Sequence, residues 1–462
     1  MNTAGAPTTS AVVRTKPIMT MPQILLMNLG FFGIQYSFGM QQTAVNPVYE
    51  FLGANPHDLP ILNLAGPITG LLIQPLIGAL SDRTWSPRWG RRKPFILIGA
   101  IGCSICLFLF PFVTAVWMAV LLLWLLDASN NTAMEPYRAF IADKLPPSQL
   151  GKGFLAQSFF TGLGITLANL SLMFFQGVFG LGQSVGIPLW VYPAFLLGSV
   201  CSLATVLISV LSTPELEPTE KELAELRASK GGPGHFIAEI KDAIVDMPVE
   251  MRKLALVYLF QWYAMNIYWQ YVSLSVSQSL YGTTDARSEG YQLAVANTGV
   301  INGAYNIVTF CVAFGLVALA RRLGAKWVHA IALWCATVGL LLFPQMPTVP
   351  LKVVAIVGLG IAWASIMGVP YIMIVRMVPS TRYGVYMGIV NMMIVIPMLI
   401  QTLTFGAIYK NLLGDNPNNA IMAAGILLGI AGLVMLWVKE PPIVRDIEPV
   451  GSGDETVTTK GA

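Results

Sequence analysis

Charge is what this chain has least of. Asp, Glu, Lys and Arg together make up 11% of its 462 residues, while 55% are hydrophobic; an ordinary soluble domain carries roughly 25% charge. That balance excludes a water-soluble globule wrapped around one apolar core and fits a chain dissolved in lipid. Histidine is nearly absent as well. The three that occur, His57, His235 and His329, fall at loops or span ends with no nucleophile or metal cluster beside them, which argues against an enzyme. The five cysteines (Cys103, Cys106, Cys201, Cys311, Cys335) show neither metal nor disulfide spacing and read as small apolar side chains. No cofactor and no metal are expected. The small positive net charge of +4 gives no reason to expect nucleic-acid binding.

Long apolar runs are what is present. Twelve segments, near 22–46, 59–80, 94–113, 116–138, 153–180, 188–211, 252–280, 291–320, 327–344, 351–376, 384–409 and 420–438, are each long enough to cross a bilayer with some tilt. With both termini inside, nearly all of the 27 Lys and Arg lie on the cytoplasmic side, Arg287, Lys352 and Lys410 being the exceptions. The positive-inside rule therefore predicts an even number of spans and both ends in the cytoplasm. The first 20 residues are polar and precede a run too long for a signal-peptide core, so the first span is expected to insert and stay. The expected organisation is an N-terminal tail (1–20), a six-helix bundle (21–212), a polar cytoplasmic linker (213–250), a second bundle (251–440) and a C-terminal tail (441–462). Both tails have disordered composition.

The two halves echo one another. Pro136-Tyr137, followed by Pro146 and Gly151, recurs as Pro370-Tyr371 followed by Pro379 and Gly384, and Gly90-Arg91-Arg92-Lys93 has a counterpart in 321–326. Six-plus-six duplication is the signature of transporters whose halves rock about a midplane site. The repeat breaks at the charges: Val369 and Ile372 stand where the first half has Glu135 and Arg138. Coupling chemistry is therefore expected in the first half.

Span four carries that chemistry. Charges inside a bilayer are expensive and mark ion or substrate paths. Asp127 lies about eleven residues into the span, roughly 16 Å along a helix, near the midplane. Spacings of 4, 4 and 3 put Asp127, Asn131, Glu135 and Arg138 on one face. Asp127 is expected to carry the coupling proton, with Glu135 either sharing that role or pairing with Arg138. Sodium coupling is the rival, but sodium sites commonly use several carboxylates. Span two offers only Asn63, Thr69 and Gln74 between its ends, so the proton is favoured over Na+.

A neutral polyol needs amides for its hydroxyls and aromatic faces for its C–H surfaces. Arg138, Asn131, Gln35, Gln157, Asn266, Trp269 and Asn302 are the candidate substrate ligands. The rim residues Asp82, Arg83, Gly90, Arg91, Arg92 and Asp143 form a candidate cytoplasmic gate, whose ion pairs could part when the inside opens.

The loop Gly78-Ala-Leu-Ser-Asp82-Arg83 to Gly90-Arg91-Arg92-Lys93 resembles the signature of the major facilitator superfamily. Its longer form, Ser81-Asp-Arg-Thr-Trp-Ser-Pro-Arg-Trp-Gly-Arg-Arg-Lys-Pro-Phe-Ile96, is similar to that of plant sucrose transporters and their animal and bacterial relatives among the glycoside-cation symporters. Leu126-Asp127-Ala128-Ser129-Asn130-Asn131 and Pro136-Tyr137-Arg138-Ala139-Phe140-Ile141-Ala142-Asp143 extend the resemblance. It implies an all-α membrane fold of twelve helices in two bundles, proton symport through Asp127, and a part for Arg138 in substrate binding or coupling. It does not distinguish sucrose, maltose or another glucoside. The expected partners are a small neutral sugar, a proton and the lipid bilayer, and the expected form is a monomer in a bacterial inner membrane.

Overall fold

The structure, a computed structural model, describes residues 16–180, 182–184, 187–217, 244–378 and 383–440. The expected tails beyond these bounds, and most of the expected linker, lie outside the described residues.

Among the described residues the long helices are α1 (Met21–Met40), α2 (Ala65–Arg83), α3 (Lys93–Leu109), α4 (Val116–Lys144), α5 (Pro147–Phe179), α6 (Val191–Ser212), α7 (Val249–Tyr281), α8 (Glu289–Leu323), α9 (Ala325–Leu342), α10 (Val349–Met377), α11 (Tyr383–Asn411) and α12 (Pro417–Met435), with short helices such as Leu59–Leu62 between them. A two-residue hairpin, Gln183–Ser184 against Ile187–Pro188, follows α5. Eight helices are long and apolar enough to cross a membrane; α1, α4, α7 and α8 are the ones that fall short. These four carry much of the polar site described below. The expected spans overlap the observed helices, but several, among them 22–46, 59–80, 94–113, 188–211 and 420–438, run past the helix bounds, and other helices run on past the apolar stretch into polar turns.

Local chemistry sets the helix ends. Gln23 Oε1 accepts from the Thr20 N–H at 2.8 Å ahead of α1. Ser288 Oγ accepts from Tyr291 N–H at 3.1 Å ahead of α8, and Asn416 does the same for Asn418 ahead of α12, at 2.9 Å. Each satisfies an N–H that the helix leaves orphaned. α1 does not stop at Met40. It passes through a π-helical turn, Gln41–Val45, and continues as a short helix, Asn46–Phe51.

Packing repeats between the halves. α1 lies against α5 and α6, α2 against α4, and α3 against α4 and α6; likewise α7 lies against α11 and α12, α8 against α10, and α9 against α10 and α12. Two further contacts, α5 with α8 and α2 with α11, join the sets, and they too are equivalent under the repeat. Much of the core is aromatic, with Tyr36, Tyr49, Tyr137, Tyr258, Tyr268, Tyr271, Tyr291 and Tyr305 all fully buried.

The two ends of the molecule differ. At the end away from the 84–92 loop, residues 46–58 dock on the second half: Asn46 Nδ2 donates to the Trp269 carbonyl at 3.4 Å, Tyr271 Oη to the Pro56 carbonyl at 3.0 Å, and Phe51 packs edge-on to Tyr291 with centroids 5.5 Å apart. Toward the loop end, the Glu135 and Arg138 side chains keep 29% and 48% of their surface accessible.

Candidate substrate and coupling site

Asp127 is buried, at 6% exposure. Its carboxyl is close to Gly66 of α2, where an added Cβ would stand 3.4 Å from Oδ2. The Gln41 side chain of the π turn faces it from α1. Among the described residues no cation pairs with Asp127, so its environment is built from dipoles rather than countercharge. One helical turn on, Asn131 is engaged with α2: its Nδ2 donates to Thr69 Oγ1 at 3.1 Å and to the Asp127 carbonyl at 2.9 Å, while its Oδ1 accepts from Gln74 Nε2 at 2.7 Å. Asn131 thus ties α4 to α2 here. Further along the same face, Arg138 Nη1 bonds Glu135 Oε1 at 2.8 Å. Both charges interact with Tyr371 of α10, so the pair faces the second half.

The other sugar-ligand candidates fall into two groups. Asn302 is a junction. Its Nδ2 donates to Thr43 Oγ1 of the π turn at 2.9 Å, its Oδ1 accepts from Tyr268 at 2.7 Å, and Thr43 also bonds Asn169 of α5. One chain of bonds therefore runs from α5 through α1 to α8 and α7. Asn266 is held within the second half, bonding Gln401 Oε1 at 2.5 Å, with Gln401 in turn donating to Gln270 at 2.9 Å. Gln35 and Gln157 are buried, and Gln157 Nε2 has no hydrogen-bond partner. A buried amide donor left unpaired costs about 1–3 kcal/mol, which a ligand hydroxyl could recover.

Trp269 belongs to a set that the sequence pattern reveals only in part. Its ring meets Trp363 edge-on at 5.3 Å, Trp363 meets Trp262 at 5.7 Å, and the Trp262 Nε1 has no hydrogen-bond partner. Trp363 lies in an otherwise apolar run of α10, where nothing in the pattern sets it apart from core residues.

At the charged loop, Arg92 Nε donates to Asp143 Oδ2 at 2.9 Å and Arg92 Nη1 to Ser81 Oγ at 2.6 Å, joining α2, α3 and α4. Arg91 Nε reaches the Ser81 carbonyl at 3.3 Å. The side chains of Asp82 and Arg83 fall outside the described part. Glu215, which follows α6, is a residue that the sequence pattern does not single out. Its carboxylate accepts from the backbone N–H groups of Arg91, Arg92 and Lys93 at 2.7, 2.8 and 2.8 Å, an anion at a helix N-terminus. Gly90 allows this approach, having φ +79°, and a Cβ there would come within 2.6 Å of the carboxylate.

The second half repeats the clamp. Gly324 has φ +91° and lies against Glu440, which follows α12, and Glu440 Oε1 accepts from Lys326 N–H at 2.5 Å. His329 lies near the start of α9, as expected. It is fully buried inside the second half, bonded through Nδ1 to Ser365 at 2.8 Å and through Nε2 to Gln261 at 3.0 Å.

The family model of the Major Facilitator Superfamily matches residues 27–297. The chain belongs to the major facilitator superfamily. It is similar to the sucrose transport protein SUC4 of Arabidopsis thaliana, at 24% identity over 88% of each chain. It is also similar to the sucrose transport protein SUT5 of Oryza sativa, at 26% identity over 91% of this chain and 88% of that one. Among solved structures it resembles the nucleoside transporter NupG (TM-score 0.68, 14% identity, 91% of this chain and 99% of that one). A D-xylose-proton symporter matches at TM-score 0.63 and 17% identity, over 90% and 97% of the two chains. This major facilitator protein is a multi-pass membrane protein with a transporter's fold, not an enzyme's.

Proposed function

We propose that this chain is a proton-coupled symporter, working as a monomer, that imports a neutral disaccharide or related glycoside of the sucrose or maltose type across a bacterial cytoplasmic membrane. The observation that carries the reading is Asp127, a buried acid with no described countercharge; Gln157 and Trp262 on other helices add an unpaired amide and an unpaired indole donor. Such an acid costs least when protonated, so a proton from outside permits the halves to close around a loaded site, and its departure inside follows release of the sugar. The amides of α1, α5 and α8 supply hydroxyl partners, and Trp262, Trp269 and Trp363 supply flat apolar faces. The names of the similar plant proteins support a sugar as cargo.

In this scheme the end bearing the 84–92 loop is cytoplasmic, as the distribution of Lys and Arg indicates. The docked segment 46–58 is then a closed outer gate, and the accessible Glu135–Arg138 pair lies in a pathway open inward. Arg92, Asp143 and the Glu215 clamp hold the inner rim of the first half together while it moves as a unit.

Sugar uptake into vesicles under an imposed pH gradient tests the proposal. For one proton per sugar, each unit of gradient sustains about a tenfold concentration ratio. Asp127→Asn is expected to lose uphill accumulation while retaining sugar counterflow; uphill accumulation by the variant overturns the assignment. A requirement for Na+ in place of the pH gradient would identify the sodium-coupled alternative.

A further inference from the structure

Among the described residues the scheme above leaves one buried acid unused. Glu50, in the short helix Asn46–Phe51 that ends the α1 column, is only 4% exposed, and the Tyr291 hydroxyl is the side-chain donor that faces its carboxyl. It lies in the seam where residues 46–58 meet the second half. Its neighbour Phe51 packs on Tyr291 of α8, which brings the Tyr291 ring and hydroxyl against Glu50.

Beyond the Tyr291 hydroxyl, the surroundings offer no compensation for a negative charge. Tyr271 of α7 and Tyr409 of α11 interact with Glu50, and Asp58 and Asp415 add negative charge to the same cluster. On α4 the nearby titratable group is Asp127, which acts on Tyr49, the residue before Glu50. His57 is engaged with Asp58 at 3.5 Å; of the cations of this end, Arg287 and Lys410 are exposed, and the buried Lys352 donates to the Phe343 carbonyl at 2.7 Å. No described Lys or Arg pairs with Glu50.

We propose that Glu50 is a second proton-binding site, at which a proton taken from the outer face is required for the outer gate to close. When segment 46–58 is docked, water is excluded and the carboxyl has no cation to lean on, so the ionised form opposes docking. When the segment lifts away, Glu50 is hydrated and its charge costs little. Closure and protonation are therefore linked: acidification outside favours the closed gate, and alkalinity favours the open one. Because the docked seam shuts Glu50 off from the opposite pathway, its proton is a latch that returns to the side it came from, distinct from the proton carried by Asp127. The inference rests on alternating access as proposed above, but it concerns the gate alone and requires neither sugar nor net proton flux.

The test uses the full-length protein in lipid vesicles, with Asn55→Cys and Leu412→Cys carrying spin labels at two exposed sites across the seam and Cys311→Ser removing the exposed native thiol. Pulsed dipolar distances are read as pH is raised from mildly acidic to mildly alkaline. The expected result is a short distance in acid giving way to a longer one, with Glu50→Gln locked at the short distance throughout. Glu50→Asp keeps the transition, as does Asp127→Asn. The proposal is overturned if Glu50→Gln titrates as the parent does, or if the parent shows no transition. It is equally overturned if Glu50→Asp loses the transition as fully as Glu50→Gln, which would assign the effect to shape, or if Asp127→Asn abolishes it. Because no sugar is present, a failed uptake experiment and a failed gate experiment remain separate results.

Discussion

In the first half of the chain Glu215 closes on Gly90 and binds three successive backbone N–H groups; in the second, Glu440 closes on Gly324 and binds the one at Lys326. The same six-helix packing surrounds both clamps, and Pro136-Tyr137 of α4 returns as Pro370-Tyr371 of α10. Yet α4 carries Asp127, Glu135 and Arg138, whereas α10 is uncharged from Ala355 to Val375 and contributes Trp363 instead. Duplication has preserved the parts that hold a bundle together and let the parts that face the path diverge. α4 thus carries charge where α10 carries aromatic surface, and in the proposed scheme the proton acts in the first half while the sugar meets both halves, coupling them through one conformational equilibrium.

The comparison is broken most severely by neutralising its charged member. Asp127→Asn is expected to reduce accumulation from about tenfold per pH unit to simple equilibration, whereas no substitution confined to α10 should uncouple sugar from proton. The clamps come next. Glu215→Ala should cost about 2–3 kcal/mol, because several charge-assisted bonds at a helix start are lost, and Glu440→Ala about 1–2 kcal/mol. Thermal unfolding of the purified variants reads the difference, and equal losses would mean that the count of N–H partners does not set clamp strength. Trp363→Ala should weaken sugar binding by roughly tenfold, about 1.4 kcal/mol, without altering the number of protons carried per sugar; titration calorimetry and the uptake ratio separate these. The smallest effect on stability belongs to Glu135→Gln. An accessible i,i+3 pair is worth less than about 1 kcal/mol, so its melting temperature should barely move. A large drop would place that pair among the structural contacts rather than in the pathway.

The helices are legible in the sequence because lipid imposes one rule on every span, and the repeat is legible because Pro-Tyr survives as a word and Gly-Arg-Arg-Lys has a weaker echo in 321–326. Asp127 stands out for the same reason: a charge in an apolar run is too costly to persist by chance. Glu50 escapes notice because it stands a few residues past the apolar run, where an acid looks like part of a loop; only the docking of 46–58 buries it. Glu215 is hidden in a polar stretch where one more carboxylate carries no signal, although Glu440 after α12 echoes it. His329 lies near the start of its helix, a position that reads as rim until α9 is seen packed on α10. Periodicity reports which residues dislike water. It does not report which helix a polar side chain will meet, and the roles of Asn131 and Asn302 depend on that.

The π turn at Gln41–Val45 gives α1 a property that a straight rod lacks. With about one residue more per turn than an α-helix, it changes the rotational phase of everything beyond it, so the lower column bearing Gln35 and the upper one bearing Glu50 are aimed independently. α1 is in effect two levers on a shared axle: the lower one is fixed by its neighbours in the first half, and the upper one is set by whatever the second half presents. A one-residue deletion within 41–45 would let the π turn relax to an ordinary α-helical turn, keeping the length and phase of the column beyond it while re-aiming the residues of the turn itself, Gln41 and Thr43 among them.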